Sequence, residues 1–339
     1  MLKLRRGTVL EAGPPADAFQ RLSVDVAGEA RSALADTGLV GASSVGDEVV
    51  VNVEAQDLAL GSGGFDLVHV NLTRGCAADG LAGAHVMKLN YTSLQHAVLT
   101  VEGDQLALPL TAPVAVIGLH GQLAPVAWAF GEAAGAGGRL GYVQTSGGAL
   151  PGGFSSVVRD LRDRGLLAGH LTAGQAFGGE GEAITTVGAI HHGIADLGWD
   201  AVLCGPGPGI LGSGSALGHG GMIALDSAHA ALALGCPTLV VARMSTGDPR
   251  PRHRGVSHHT RTVLDLLLAP VTVALPEGFD AEIPTRHSAH RMSVDVAAYA
   301  ASGLPAKTMG RTHDEDPAFF AAALAAGGAL AALRPGPGR

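Results

Sequence analysis

From Pro113 onward the chain alternates short apolar runs with amphipathic stretches, and this alternation leaves few folds open. PVAVIGLH precedes the helical pattern QLAPVAWAFGEAAG. RLGYVQT precedes FSSVVRDLRDRG, which stops at Gly165. LLAGHLT, DAVLCGP and PTLVVARMS are each followed in the same way, by EAITTVGAIHHGIADLG, MIALDSAHAALALG and VSHHTRTVLDLLL, and PVTVALPEG is a sixth apolar run. Uninterrupted apolar runs alternating with helical periodicity predict a mostly parallel, Rossmann-like sheet with helices on both faces. Right-handed crossovers then bring the carboxyl end of every strand to one edge of the sheet. DPAFFAAALAAGGALAAL reads as a terminal helix, and RPGPGR after it as a frayed end.

The chain before residue 72 has a different period. RGTVLEA, QRLSVDVA, DEVVVNVEA and FDLVHVNL are short, Val-rich and largely alternating, with turn signals at Gly46-Asp47 and Gly61-Ser62-Gly63-Gly64. Short strands at this spacing predict a small β-barrel or sandwich. Residues 73–112 read as a connecting segment in which HVMKLNYTSLQHAVLTVEG holds a strand followed by a helix or a second strand. The expected division is therefore 1–112, β-rich, and 113–339, α/β.

Composition removes several classes of function. The formal net charge is −8 and the only basic cluster is short, near residue 250, so a nucleic-acid partner is not expected. The cysteines Cys76, Cys204 and Cys236 are odd in number and form no CxxC, which argues against a disulfide framework or a structural zinc site. No uninterrupted apolar stretch reaches the length of a membrane span, and MLKLRRG lacks the apolar segment of a signal peptide. Membrane association is not expected, and the cytoplasm is the expected location. The 51 glycines far exceed a usual share of about 7 per cent. They recur after the apolar runs, as tight strand-to-helix turns require.

Ligands of open α/β sheets bind outside the carboxyl ends of the strands. Five successive loops there are small, polar and glycine-rich. They contain Gly118, His120 and Gln122; Gly147 and Gly148; Gln175, Gly178, Gly179 and Glu180; the run 205–221 with Gly207, Gly209, Gly212, Ser213 and His219; and 245–259. The 205–221 run has neither a Walker A sequence nor a clean dinucleotide fingerprint. Its glycines allow backbone amides to approach an anion ahead of a helix N-terminus, although a long ordered turn would have the same composition. The 245–259 loop carries Asp248, Arg250, Arg252, His253, Arg254, Ser257, His258 and His259. Its arginines suit an anion, and His258, His259 or His120 suits acid–base work, with Asp248 as an orienting group. A solvated basic loop is the bland alternative.

Metal binding is not expected. No HExxH-type spacing occurs, and the adjacent His258 and His259 would point about 100° apart on a helix. His191, His192 and His229 fall within helices and read as packed or solvated. Glu180 reads as a general base or as a first-turn acidic residue. Ser213, Ser215, Ser245 and Ser257 lack a nucleophile elbow. Lys307–Arg311 is expected to fold back toward the site, and Asp314 and Asp316 to cap the last helix.

Taken together, RRGTV, VGDEVVVN, HVMKLNYTSLQ, YVQTSGGALP, TAGQAFGGEGEA, GPGPGILGSGS, DPRPRHRGVSHHT, and KTMGR with DEDPAFF resemble a bacterial family of unknown function, DUF3866. The prolines of GPGPG depart from the pattern expected of that family. The resemblance implies the two-part plan and supports the selected loops, but it implies no reaction and no cofactor. Three readings remain open. The chain is an enzyme acting on a phosphorylated or carboxylated small molecule by histidine acid–base chemistry, a non-catalytic nucleotide or metabolite sensor using the same cleft, or a scaffold whose glycines are turns. The oligomeric state stays open too, with Ala-rich helices such as 224–235 as candidate contacts in a homo-oligomer.

Overall fold

Alternation in the first part of the chain closes into a barrel. In the computed structural model, which describes residues 1–16, 18–59, 64–76, 79–148 and 150–335, five strands form there: β1 (Leu4–Ala12), β2 (Phe19–Val26), β3 (Glu29–Asp36), β4 (Glu48–Asn52) and β5 (Asp66–Asn71). Their order is β1-β2-β3-β5-β4 and closed, with β4 pairing back onto β1 and β3 lying parallel to β5. Closure leaves no free sheet edge, and a five-stranded barrel of this connectivity is of the OB type. Every second residue faces inward, so Val9, Val24, Ala33, Ala35, Val49 and Val51 make the barrel core. The strand β3 went unforeseen because EARSALAD offers mainly alanines to its buried face. In the connecting segment, Val86–Lys88 pairs antiparallel with His96–Val98, so the second strand, not a helix, follows the first. The turn expected at Gly61–Gly63 and the tail beyond Pro335 lie outside the described residues.

The chain divides into two compact units, Met1–Leu99 and Thr100–Arg339. In the second, Val101 N donates to Glu182 O and Leu110 N to Leu234 O. Eight strands form its sheet: β6 (Val114–Val116), β7 (Leu140–Thr145), β8 (Gly169–Ala173), β9 (Gly181–Ala183), β10 (Ala201–Pro206), β11 (Thr238–Val241), β12 (Thr272–Pro276) and β13 (Ser288–Met292). All pairs are parallel, in the order β9-β8-β7-β10-β6-β11-β12-β13. The interior strands are buried on both faces, as their continuous apolar runs require. Val114, Val116, Val202, Cys204 and Val240 face one core, and Ala115, Ile117, Leu203, Leu239 and Val241 the other.

One core is covered by α3 (Thr186–Ala195), α4 (Ile223–Ala233) and α5 (His258–Leu266). The other is covered by α1 (Leu123–Ala134), α2 (Ser156–Asp163), α6 (Val296–Ala301) and α7 (Pro317–Ala332). The Ala-rich α7 is buried on nearly all sides. Small residues let it approach α1 closely: a Cβ on Gly327 would stand 2.3 Å from Val126 O. Elsewhere Gly141, Gly169 and Gly193 surround the buried Trp199 ring, and a Cβ on Gly141 would fall 1.8 Å from its Cε3. Among the described residues no helix is long and apolar enough to cross a membrane.

This topology has a point at which the connections of neighbouring strands diverge. The connection from β6 runs toward β7, whereas that from β10 runs the opposite way, toward β11. The crevice outside the carboxyl ends of the adjacent β6 and β10 is a topological switch point.

Candidate functional site

A small cavity lies at that crevice. Its volume is about 20 Å³, and Gly118, His219, Gly221, Arg243, His259 and Thr260 are among its lining residues. Gln122 braces the floor. It is fully buried, its Oε1 accepts from Gly118 N and Leu119 N, and its Nε2 donates to Ala242 O at 3.2 Å, tying the end of β6 to the end of β11.

Beyond β11 the chain forms a hairpin, Met244–Ser245 against Gly255–Val256. The hairpin returns the 246–254 loop to its starting point, and Ser257 N donates to Arg243 O at 2.8 Å. Ser257 then caps α5. Its Oγ accepts from His259 N and lies 2.8 Å from His253 Nδ1. As a result four imidazoles converge. The His219 and His259 rings stack with centroids 3.5 Å apart, those of His258 and His259 are 4.0 Å apart, and His253 is 5.0 Å from each of His258 and His259. The neighbours His258 and His259 thus meet despite their angular separation on the helix. Both stand in its first turn, and their rings converge beside His253.

Arg243, only 5 % exposed, sits against this cluster. Nη1 donates to His259 Nδ1 at 3.2 Å, Nη2 reaches Met309 Sδ at 3.3 Å, and Nε is buried without a partner. The nearest carboxylate, Asp248, is 3.6 Å away and shared, because Arg250 holds it at 2.8 Å and Arg311 at 3.4 Å. A second carboxylate, Asp316, accepts from Ser245 Oγ at 2.7 Å, Thr246 N at 2.8 Å and Arg311 Nε at 2.9 Å. Three guanidinium groups therefore share two carboxylates. Burial and the neighbouring Arg250 lower Arg243 to about 10. The hydrogen bond from Arg250 holds Asp248 far below the usual carboxylate range. Burial, reinforced by these arginines and by the other imidazoles, lowers His219 and His253 to about 4, His259 to about 3, and His258 below its ordinary value. All four rings are thereby biased toward the neutral form.

His120 belongs to a second group. Its Nε2 is 2.9 Å from Ser155 Oγ, and its ring lies 6.2 Å from Tyr142, which stacks on His170 at 5.3 Å. Burial lowers His120 to about 4 and His170 to about 3.

The glycine loops divide by role. Gly147, at φ +103°, and Gly148 press backbone to backbone on the 205–221 loop: a Cβ on Gly148 would stand 2.3 Å from Gly207 O, and one on Gly147 2.4 Å from Gly220 O. Gly209, Gly212 and Ser213 are exposed, and Ser213 is tied locally to Ser215 and Gly218 O. Of that loop, His219 and Gly221 reach the cavity, and Gly221 N donates to His219 Nδ1. Gln175 accepts from Ser146 Oγ. Gly178 N donates to Glu182, and Gly179 packs on the backbone of β8. Glu180 pairs with Arg162 at 2.6 Å, and its other carboxylate oxygen accepts from the backbone N of His170 at 3.2 Å. Arg252 and Arg254 are exposed, and Arg254 Nε donates to Asp248 O at 3.2 Å, which ties the loop back on itself. The Lys307–Arg311 segment does fold back, through Met309 and Arg311. Asp316 stands at the N-cap position of α7, but its carboxylate turns to Ser245, Thr246 and Arg311 and makes no cap hydrogen bond. His191, His192 and His229 are engaged with Ala107 N, Asp196 and Leu268 N.

Sequence reasoning missed Arg243, Arg311 as an ion-pair partner, and Asp316 as part of the charge network. Arg243 lies within PTLVVARMS, and an arginine closing an otherwise apolar strand was the available signal.

Comparison with curated proteins and with solved structures returns no match. The sequence matches the family described as Protein of unknown function (DUF3866) over residues 32–327, a span that takes in the barrel from within β3 onward, the whole crevice and most of the last helix, and the chain belongs to that family.

Proposed function

We propose that the crevice binds a small phosphorylated or carboxylated molecule and that the protein is an enzyme acting on it. The observation that carries this reading is Arg243: a buried cation whose Nε has no partner and whose nearest carboxylate is already held more closely by two other arginines. A buried charge without a full counter-charge is costly, and an anionic ligand removes that cost. A cavity of about 20 Å³ has room for a single water-sized group, so one ligand oxygen enters beside Arg243 while the remainder stays outside the cavity. Neutral imidazoles around that oxygen offer lone pairs for accepting protons or holding an electrophile. The three free cysteines support a reducing, cytoplasmic location.

The test is calorimetric titration of inorganic phosphate and of small carboxylates into the wild type and Arg243→Met. Saturable heats that disappear in the variant are expected. Equal binding by both proteins, or none by the wild type, sinks the reading. A ligand recovered intact after long incubation would assign the crevice to a sensor instead of an enzyme.

A further inference from the structure

We infer that His253, His258 and His259 hold a divalent transition-metal ion of borderline softness, such as Zn²⁺, with a coordination position left open toward Arg243. One ring nitrogen from each of the three lies within 4.8 Å of those of the other two. Two of these rings have a nitrogen with no other occupation. His258 Nε2 and His259 Nε2 are both buried and without a hydrogen-bond partner, and His259 is only 8 % exposed. Leaving a buried polar atom unpaired costs about 1–3 kcal/mol; a metal ion occupies both once His258 Nε2 and His259 Nε2 present their lone pairs, which for His259 requires its proton to sit on Nδ1. His253 completes the set. Its Nδ1 is engaged by Ser257 Oγ at 2.8 Å, which fixes the ring and leaves Nε2 for the ion. This is the outer hydrogen bond that metal-bound imidazoles usually keep.

The charges around the cluster decide what else must bind. Arg243 faces His259, Arg252 lies beside His258, and Asp248 with Arg250 stands behind His253. An ion here meets net positive charge. His259 must also give up its contact with Arg243, so that its proton moves to Nδ1 and Nε2 is freed. Both requirements are met by an anion lying between the ion and Arg243. Three histidines with an open position form the donor set of a catalytic zinc site rather than a structural one, and imidazole ligands suit zinc over magnesium or calcium. This inference rests on the anion reading for the role of the open position only; the three-histidine set stands without it.

The experiment is titration of Co²⁺ alone, with no phosphate or carboxylate present, into the EDTA-treated full-length chain. Visible d–d bands saturating at one ion per chain are expected. His253→Gln and His258→Gln should each weaken binding by more than the roughly 10–100-fold that loss of a mere supporting partner costs, while His192→Gln, remote in helix α3, should leave it unchanged. Circular dichroism checks that each variant is folded. Anomalous diffraction from a Zn²⁺-soaked wild-type crystal keeps the test decisive if a variant does not fold. An ion among the three rings supports the inference. Absent bands, bands and affinity unchanged in both variants, or an ion bound elsewhere overturn it. Phosphate binding to the metal-free chain is read separately, so failure of the metal site and failure of the anion site are distinguishable.

Discussion

Replacing Asp248 by Asn isolates the electrostatic core of this account. The carboxylate is completely buried and faces Arg250, Arg311 and Arg243 at 2.8, 3.4 and 3.6 Å. At an effective dielectric constant near 20 each contact has a gross attraction of about 5 kcal/mol, most of it offset by desolvation. The half-exposed Arg250 can turn to water, so its share is discounted. Arg243 and Arg311 are confined, and the Asn amide would present N–H groups to them. Breaking a buried pair costs about 3–5 kcal/mol, and the lower end, about 3 kcal/mol, applies here. For a unit of about 240 residues, an unfolding entropy near 2.1 cal/mol/K per residue converts this to a fall in Tm of about 6 °C. Differential scanning calorimetry in a zwitterionic buffer measures the fall. Added phosphate should recover more of it in the variant than it adds to the wild type, because the anion takes the place of the carboxylate. A variant melting within 1–2 °C of the wild type (the spread of ordinary surface substitutions) would show that the arginines reach water and that the buried-charge reasoning is mistaken.

The depressed histidines make stability pH-dependent in a definite direction. In the unfolded chain they take up protons from about pH 6.5, whereas in the fold His219 and His253 wait until about 4 and His259 until about 3. The unfolded state therefore binds more protons as pH falls, so stability is full above 6.5 and is lost progressively down to about 4 for His219 and His253 and about 3 for His259. Urea titrations from pH 7.5 to 4 should show a falling midpoint, and a flat profile contradicts the neutral cluster. Gly141→Ala drives a Cβ to 1.8 Å from the buried Trp199 ring and should cost at least the about 1–3 kcal/mol typical of overpacking; an unchanged melting temperature would mean that the ring is not held there. Ser213→Ala, on the exposed part of its loop, should stay within about 0.5 kcal/mol of the wild type and leave phosphate binding intact, and a loss of binding would return that loop to the site.

The parallel sheet was legible because strands buried on both faces must be continuously apolar, and PVAVI, DAVLC and PTLVV can hardly be read otherwise. Strands without that demand were not. The edge strand β13, SAHRM, is mostly exposed, and β9 is three residues whose outer side meets only an isolated bridge from Thr100 to Glu182. The 245–259 loop was legible from its density of arginine and histidine. Which of its residues meet was not, because that depends on the hairpin returning Ser257 to Arg243, a contact between positions far apart in the pattern. Glycine was the least informative signal. Gly148 owes its identity to the close approach of the Gly207 backbone, and nothing local distinguishes such a glycine from one that cradles a ligand. The neighbours His258 and His259 show how helical angle misleads at a first turn, where side-chain rotamers decide whether two rings meet.

The central claim is that the crevice beneath Arg243 is an anion site. Diffraction from a crystal soaked in tungstate, a heavy tetrahedral anion, tests it most directly. The account predicts an anomalous peak within hydrogen-bond distance of the Arg243 guanidinium, beside His219 and His259. A peak confined to the exposed Arg252 side chain, or none in the crevice at saturating tungstate, would contradict it.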